Sequence, residues 1–429
     1  MQSEYLNCCA LAKTQRYILK NYLSEDNEPW CYHTQFSYHL QVKNLSMPLF
    51  HKAVRSVLER HPVLKTVFLF DNAEIKQALN SKLSFNIAFH DISALLLTEQ
   101  ENWVHQFLLE DRNTPIDVYN PNKPLFRTYI IKRSNESLQF VLVFNHAIWD
   151  GWSLAVLLKE IFAHYQALKL KPTLKLQLAE YNYQDFIKYE QGIECSLPAK
   201  EFWNDHLKNH QDFKPKKKEN ISHYNNYKPV ERMLTAELTS ALLKAQVRLK
   251  VTMKTVFIAQ FIRMVENETM LAYNTVGIVT NGRSVQLKNP LTTLGLLWNM
   301  APLCVERFAD DVSHTKNVNQ ALADVAIYGS YPLMNILEGQ NKDELFHAAF
   351  NFINFSGANL LSADSDVDFL EVGGLDKFHY PLHLLVGVNP FNKDVSVLLN
   401  YDTRCYSEQE IDNKLDVYIE GLTRIVNTP

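Results

Sequence analysis

The sequence predicts an α/β protein built from two halves of similar size. Three observations predict it. Residues 1–172 alternate helix-like and strand-like apolar periodicities, residues 227–429 do so again, and residues 173–226 between them change character. The expected division is therefore a first α/β lobe at 1–172, connecting helices and linker at 173–226, and a second α/β lobe at 227–429.

In chain order, segment 11–22 carries the spacing of an amphipathic helix, and segment 35–42 partly alternates apolar and polar residues as a strand does. Segment 48–61 reads as a helix that stops before Pro62, because proline disfavours helix in the residue before it. Segment 64–70 reads as a strand. Segments 126–132 and 138–144 bracket the turn-like Ser134-Asn135-Glu136, which is a hairpin signal. Phe140-Val141-Leu142-Val143-Phe144 is continuously apolar and suits a central strand covered on both faces. After a short polar loop, Leu154, Leu157, Leu158, Ile161, Phe162 and Tyr165 recur at helical spacing. Segments 181–189 and 201–208 read as connecting helices, and Lys214-Pro215-Lys216-Lys217-Lys218 as an exposed linker. In the second half, 255–265 reads as a helix, 276–280, 350–355, 382–388 and 395–399 as strands, and 408–426 as a terminal helix.

Composition narrows the function. The 429 residues are 46% hydrophobic and 21% charged, which is ordinary for a globular chain. A net charge of −4 argues against a nucleic-acid partner, which calls for a basic surplus. No apolar run is long enough to cross a membrane, and residues 1–12 lack the basic-then-apolar pattern of a secretory signal. Cys8, Cys9, Cys31, Cys195, Cys304 and Cys405 form no C-x-x-C pair and no metal-ligand spacing, and scattered thiols suit a reducing cytoplasm. Cys8 and Cys9 have no basic neighbour in sequence to activate them. Gly-rich phosphate loops, H-E-x-x-H and G-x-S-x-G are absent from the sequence.

The stretch Asn145-His146-Ala147-Ile148-Trp149-Asp150-Gly151-Trp152-Ser153 holds the chemistry. It sits between the buried strand and the helix that follows. Histidine ionises nearest neutrality, so it suits proton handling at an attacking amine or alcohol. A carboxylate at a helix mouth accepts backbone N–H bonds or holds a cation. Glycine allows a close approach that a Cβ would forbid. By spacing alone, a strand-end histidine and a helix-capping aspartate are the favoured explanation of the pattern.

The loop resembles the H-H-x-x-x-D-G motif of the condensation domains of nonribosomal peptide synthetases, and Trp152-Ser153 matches its usual continuation. Five more segments resemble family motifs in the family's order: Leu11-Ala12-Lys13-Thr14-Gln15-Arg16, Arg60-His61-Pro62-Val63-Leu64-Lys65-Thr66-Val67-Phe68, Pro124-Leu125-Phe126-Arg127, Thr280-Asn281-Gly282-Arg283, and Gly295-Leu296-Leu297-Trp298-Asn299-Met300-Ala301-Pro302-Leu303. Tyr401-Asp402 before the last helix also fits. The resemblance implies two chloramphenicol acetyltransferase-like lobes forming a V-shaped pseudo-dimer, with the active site in a tunnel between them.

It further implies that His146 is catalytic, as base toward the amine or as electrostatic support for the tetrahedral intermediate. Asp150 is implied to be structural with Arg283 as its partner, and Gly151 to line the tunnel that admits a phosphopantetheine arm. Asn145, in place of the motif's first histidine, and Arg283 support the site. Trp149, Ser153, Trp298 and Asn299 are candidate tunnel-lining residues. His61 reads as structural, and His379 and His383 as structural or tunnel-lining rather than catalytic. No cofactor or metal of its own is implied. Substrates arrive on acyl or peptidyl carrier proteins in trans, or one is a free small amine. The implied function is a free-standing condensation enzyme. An acyl-CoA- or alcohol-using relative and a non-catalytic recruitment module stand as alternatives. Two departures are visible: Asn145 itself, and no Pro-Glu after Arg283.

Overall fold

A computed structural model describes residues 5–24, 31–71, 74–218, 226–353, 366–389 and 394–428. The strands among them are β1 (Tyr5–Ala10), β2 (His33–Val42), β3 (Thr66–Asp71), β4 (Glu74–Asn80), β5 (Ile87–Asp91), β6 (Phe126–Lys132), β7 (Ser137–Asn145), β8 (Tyr227–Met233), β9 (Tyr273–Asn281), β10 (Trp298–Glu306), β11 (Ala348–Ile353), β12 (Val367–Asp376), β13 (Leu382–Val388) and β14 (Val395–Asp402). They form three sheets, in the orders β1-β4-β3, β12-β2-β7-β6-β5 and β10-β9-β11-β13-β14-β8.

The continuous apolar run explains β7. All nine of its residues are buried, and it lies at the centre of the five-stranded sheet with antiparallel β2 and β6 on either side. A strand covered on both faces needs no polar alternation. The helix Gly151–Leu170 follows β7 and packs on the helix Met47–Arg60. In the second half, the helix Met253–Thr269 packs against both Asp311–Tyr328 and Glu408–Asn427.

The predicted elements are found, with shifted ends. The strand expected at 64–70 begins at Thr66, because Pro62–Lys65 forms a 3-10 turn. The strand expected at 350–355 is described as far as Ile353, and its last two positions lie outside the described residues. Elements the sequence reading passed over include the helices Leu97–Arg112, Ala236–Leu249 and Asp311–Tyr328 and the strand β12.

β12 matters most for the site. It comes from the second half of the chain, yet it forms the edge of the sheet otherwise made by the first half. Its antiparallel register on β2 sets Asp376 opposite Thr34, and Thr34 pairs in turn with Phe144 on β7. The backbone N–H of His146 donates to the Tyr32 carbonyl at 2.9 Å. Sheet register therefore brings Asp376 beside His146.

Candidate active site

The loop after β7 is held from three sides. Gln15, buried at the start of the helix Lys13–Tyr22, donates from Nε2 to the Ala147 carbonyl at 2.8 Å. Asn145 accepts from the Ala147 N–H through Oδ1 at 2.9 Å. Asp150 caps the helix Gly151–Leu170, accepting from the Ser153 N–H and Oγ, both at 2.7 Å. The Asp150 carboxylate also accepts from Arg283 Nη2, at 2.8 and 3.1 Å, and from the Leu297 N–H at 3.1 Å. Arg283 spends Nη1 on the Pro290 and Thr293 carbonyls, at 2.7 and 2.6 Å. Both side chains are buried, so the ion pair ties the loop after β7 to the loops around β9 and β10.

Two glycines make that approach possible. A Cβ on Gly282 would lie 2.0 Å from the Leu297 carbonyl oxygen, and one on Gly295, at φ +151, would meet the Tyr183 ring at 2.2 Å. Neither position admits a side chain.

His146 is buried at the wall of a cavity of about 880 Å³. Its ring packs edge-on against Phe144 and Trp298, with centroids 5.5 and 5.8 Å away. Nδ1 lies 3.1 Å from the Trp149 carbonyl, which only accepts, so Nδ1 carries a proton. Nε2 lies 3.0 Å from Asp376 Oδ1. That contact is close enough for an ion pair but too poorly aligned for a hydrogen bond. With an acceptor at each nitrogen, the neutral ring would turn its lone pair on Nε2 towards a carboxylate. Burial opposes protonation, but Asp376, the Trp149 carbonyl and Asp150 together offset it and raise the His146 pKa above the ordinary histidine value. Burial likewise works against the Asp376 carboxylate, and His146 with the Thr34 hydroxyl, 2.8 Å away, holds its pKa below the usual one. His383 lies behind this pair against Phe378, at 4.2 Å between centroids, and burial pushes it down to about 4.

The candidates separate on these coordinates. His146, Asp150, Gly151 and Trp298 line the cavity, and a Cβ added to Gly151 would meet nothing within 4 Å. Trp149, expected on the wall, is instead in the core against Phe126 and Phe144, and only its carbonyl serves the site. The helix begins at Gly151, so Trp152 takes the wall position. Ser153 is also off the wall. It is fully buried, and its single hydroxyl proton lies between two acceptors, Asp150 and the Gly295 carbonyl, while its oxygen accepts from the Gly295 N–H and Arg283. Asn299, too, is not on the wall: it anchors the 329–333 turn, donating to the Gly329 and Tyr331 carbonyls and accepting from the Leu333 N–H. Asn145 is buried and braces the loop. His61 pairs with Glu160 at 2.7 Å, and His379 with Glu344 at 2.9 Å, both away from the wall. The lysines of Lys214-Pro215-Lys216-Lys217-Lys218 are exposed. Asp376 was missed. A lone aspartate after Gly373-Gly374-Leu375, far along the chain, carries no local signal.

This fold is that of solved condensation domains. The condensation domain from Monacolin K polyketide synthase MokA matches with a TM-score of 0.80 at 14% identity over 99% of both chains. The SgcC5 protein from Streptomyces globisporus matches at 0.80 and 15% identity, over 98% of this chain and 99% of that one. The starter condensation domain of rhizomide synthetase RzmA, in complex with C8-CoA and Leu-SNAC, matches at 0.80 and 14%, over 100% of this chain and 95% of that one.

The chain belongs to the Condensation domain family, whose model matches residues 7–429. Gramicidin S synthase 2 of Aneurinibacillus migulanus is 26% identical over 70% of this chain, and Tyrocidine synthase 3 of Brevibacillus parabrevis is 26% identical over 89%. The chain spans 7% and 6% of the lengths of those two relatives. Among the described residues, no helix is long and apolar enough to cross a membrane.

Asp150→Asn leaves the buried Arg283 guanidinium without its counter-charge and is expected to cost about 3–5 kcal/mol of stability. Denaturant unfolding of the two proteins checks this. A variant as stable as the parent would show that the pair does not hold the loop.

Proposed function

We propose that the chain is an acyltransferase that joins an acyl thioester to an amine, in nonribosomal peptide or related natural-product biosynthesis. One observation carries the reading. His146, of the H-x-x-x-D-G pattern, reaches the cavity wall between Trp298 and Asp376 on a loop locked by Asp150 and Arg283. The thioester is delivered on the phosphopantetheine arm of a carrier protein acting in trans, and the amine is carrier-bound or free.

The chemistry asked of the protein is modest. The amine nitrogen attacks the thioester carbonyl carbon, the C–S bond breaks, and the proton lost by nitrogen ends on the departing thiol. Holding the two reactants in register supplies several kcal/mol of the acceleration. In this reading His146 acts as an imidazolium, since an acceptor faces each of its nitrogens and its pKa is raised. Its misaligned Nε2–H is free to turn from Asp376 to the oxyanion of the tetrahedral intermediate. A charged donor there is worth about 3 kcal/mol. Asp376 acts through His146, as a positioning residue.

The direct test offers acyl-loaded carrier proteins and a panel of amines, with amide followed by mass spectrometry. His146→Ala is expected to lower the rate about 100-fold or more. Amide made equally well by the variant would remove His146 from the reaction. An acyl-CoA donor belongs in the same panel, since the rhizomide relative is held with C8-CoA. Faster transfer from acyl-CoA than from any carrier would replace the carrier in this reading.

The pH profile tests the charge state. If the imidazolium acts, the rate falls as pH rises through the raised pKa of His146. A neutral base would give the opposite slope. Asp376→Asn removes the anion, so it lowers that pKa and moves the falling limb to lower pH. A His146-dependent limb that rises with pH would sink the imidazolium assignment.

A further inference from the structure

The cavity wall carries a charge that the reaction above does not use. Lys254 lies in the first turn of the helix Met253–Thr269 and lines the same cavity as His146. Its ammonium is within 3.5 Å of the Val279 carbonyl, the outer limit of a hydrogen bond. No carboxylate among the described residues pairs with it. Burial lowers its pKa, and no neighbouring anion offsets that cost.

The other charges on the wall are committed. Asp150 is held by Arg283, and Asp376 by His146 and Thr34. Asn319, also on the wall, accepts from the Thr255 hydroxyl through Oδ1 at 3.0 Å, so neutral polar groups surround the helix end. A partly buried ammonium with no counter-ion draws an anion strongly, because the screening of bulk water is reduced there.

Strand register separates the wall positions against which His146 and Lys254 lie. Asn281 pairs with Trp298, whose ring packs on His146, and Val279 lies two residues along β9. Two residues of strand put these two backbone anchor points roughly 7 Å apart. The α-carboxylate of an amino acid is too near its own nitrogen to bridge such a gap. A carboxylate several bonds from the reacting atom does so.

We propose that Lys254 is a specificity residue that binds a carboxylate at the far end of one substrate's side chain. The inference rests on the proposed condensation function. It goes further by assigning the substrate class: an acidic side chain on the acceptor amine, or an acyl donor with a terminal carboxylate.

The test uses the whole chain with two matched pairs of probes. Leucinamide against glutamic acid α-amide reports the acceptor. Hexanoyl-pantetheine against adipoyl-pantetheine reports the donor. Binding is read by calorimetry, and amide formation is read separately by mass spectrometry. The acidic member of one pair is expected to bind about tenfold more tightly, the size of one charged hydrogen bond. That preference should fall to about twofold or less in Lys254→Met and turn towards lysinamide or an amine-ended donor in Lys254→Glu. The pair that shows it identifies the source of the carboxylate. Equal binding of acidic and neutral members, or a preference that survives in Lys254→Met, overturns the proposal. So does an equal loss for both donors, which would place Lys254 on the pantetheine arm. A charge preference without any amide product would strike the condensation reading and leave this one standing.

Discussion

The site depends on one buried ion pair. Asp150 and Arg283 stand 133 residues apart, and neither tolerates burial without the other. The carboxylate takes hydrogen bonds from Ser153, Leu297 and Arg283, and the guanidinium takes two carbonyls besides. The loop with His146 and the segment with Trp298 are consequently fixed to each other. Gly282 lets the turn after β9 meet the backbone at Leu297, and Gly295 leaves room for the Tyr183 ring. Three of the family-like motifs thus describe a single junction: the histidine loop, the Gly282-Arg283 turn and the segment leading into β10. A fourth, the opening helix, joins it through Gln15 and the Ala147 carbonyl.

That junction is structural, which leaves the electrostatics of the cavity to fewer groups. His146 and Asp376 form a second pair, looser than the first, since Nε2 and the carboxylate are close but misaligned. Asp376 keeps 18% of its side-chain surface, and it lies on the cavity wall. A pair locked as tightly as Asp150 and Arg283 could not lend a proton donor to a substrate. The two pairs differ in alignment: Asp150 and Arg283 are joined by hydrogen bonds, and His146 Nε2 and Asp376 are not.

Much of this was legible in the sequence where local periodicity carries the signal. The apolar run of β7, the hairpin with β6 and the stripe of the helix Gly151–Leu170 are local patterns, and each appears where its period predicts. The Asp150–Arg283 pair was legible only through family resemblance, since two residues so far apart leave no trace in spacing. β12 was not legible at all. Most of its residues are at least partly exposed, and Gly373-Gly374 depresses its strand propensity. Its pairing with β2 is a contact across most of the chain, so Asp376 could not be placed before the sheet was known. Trp149 and Trp152 were confused for a related reason. Which of two nearby indoles faces the cavity is set by where the helix starts, and Asp150 as cap fixes that start at Gly151.

The departure at Asn145 follows from the same geometry. The resembled motif has histidine there, and its loss would matter if that side chain met the substrate. Here the side chain is fully buried behind His146, away from the cavity wall. What the position must provide is an acceptor for the Ala147 N–H, the donor two residues on that closes the turn. Asparagine offers that acceptor in a form that does not titrate, whereas an imidazole must hold the right tautomer to do so. An uncharged residue at 145 also adds no positive charge beside the His146 ring. The substitution therefore keeps the bracing of the loop and gives His146 no charged neighbour that would lower its pKa.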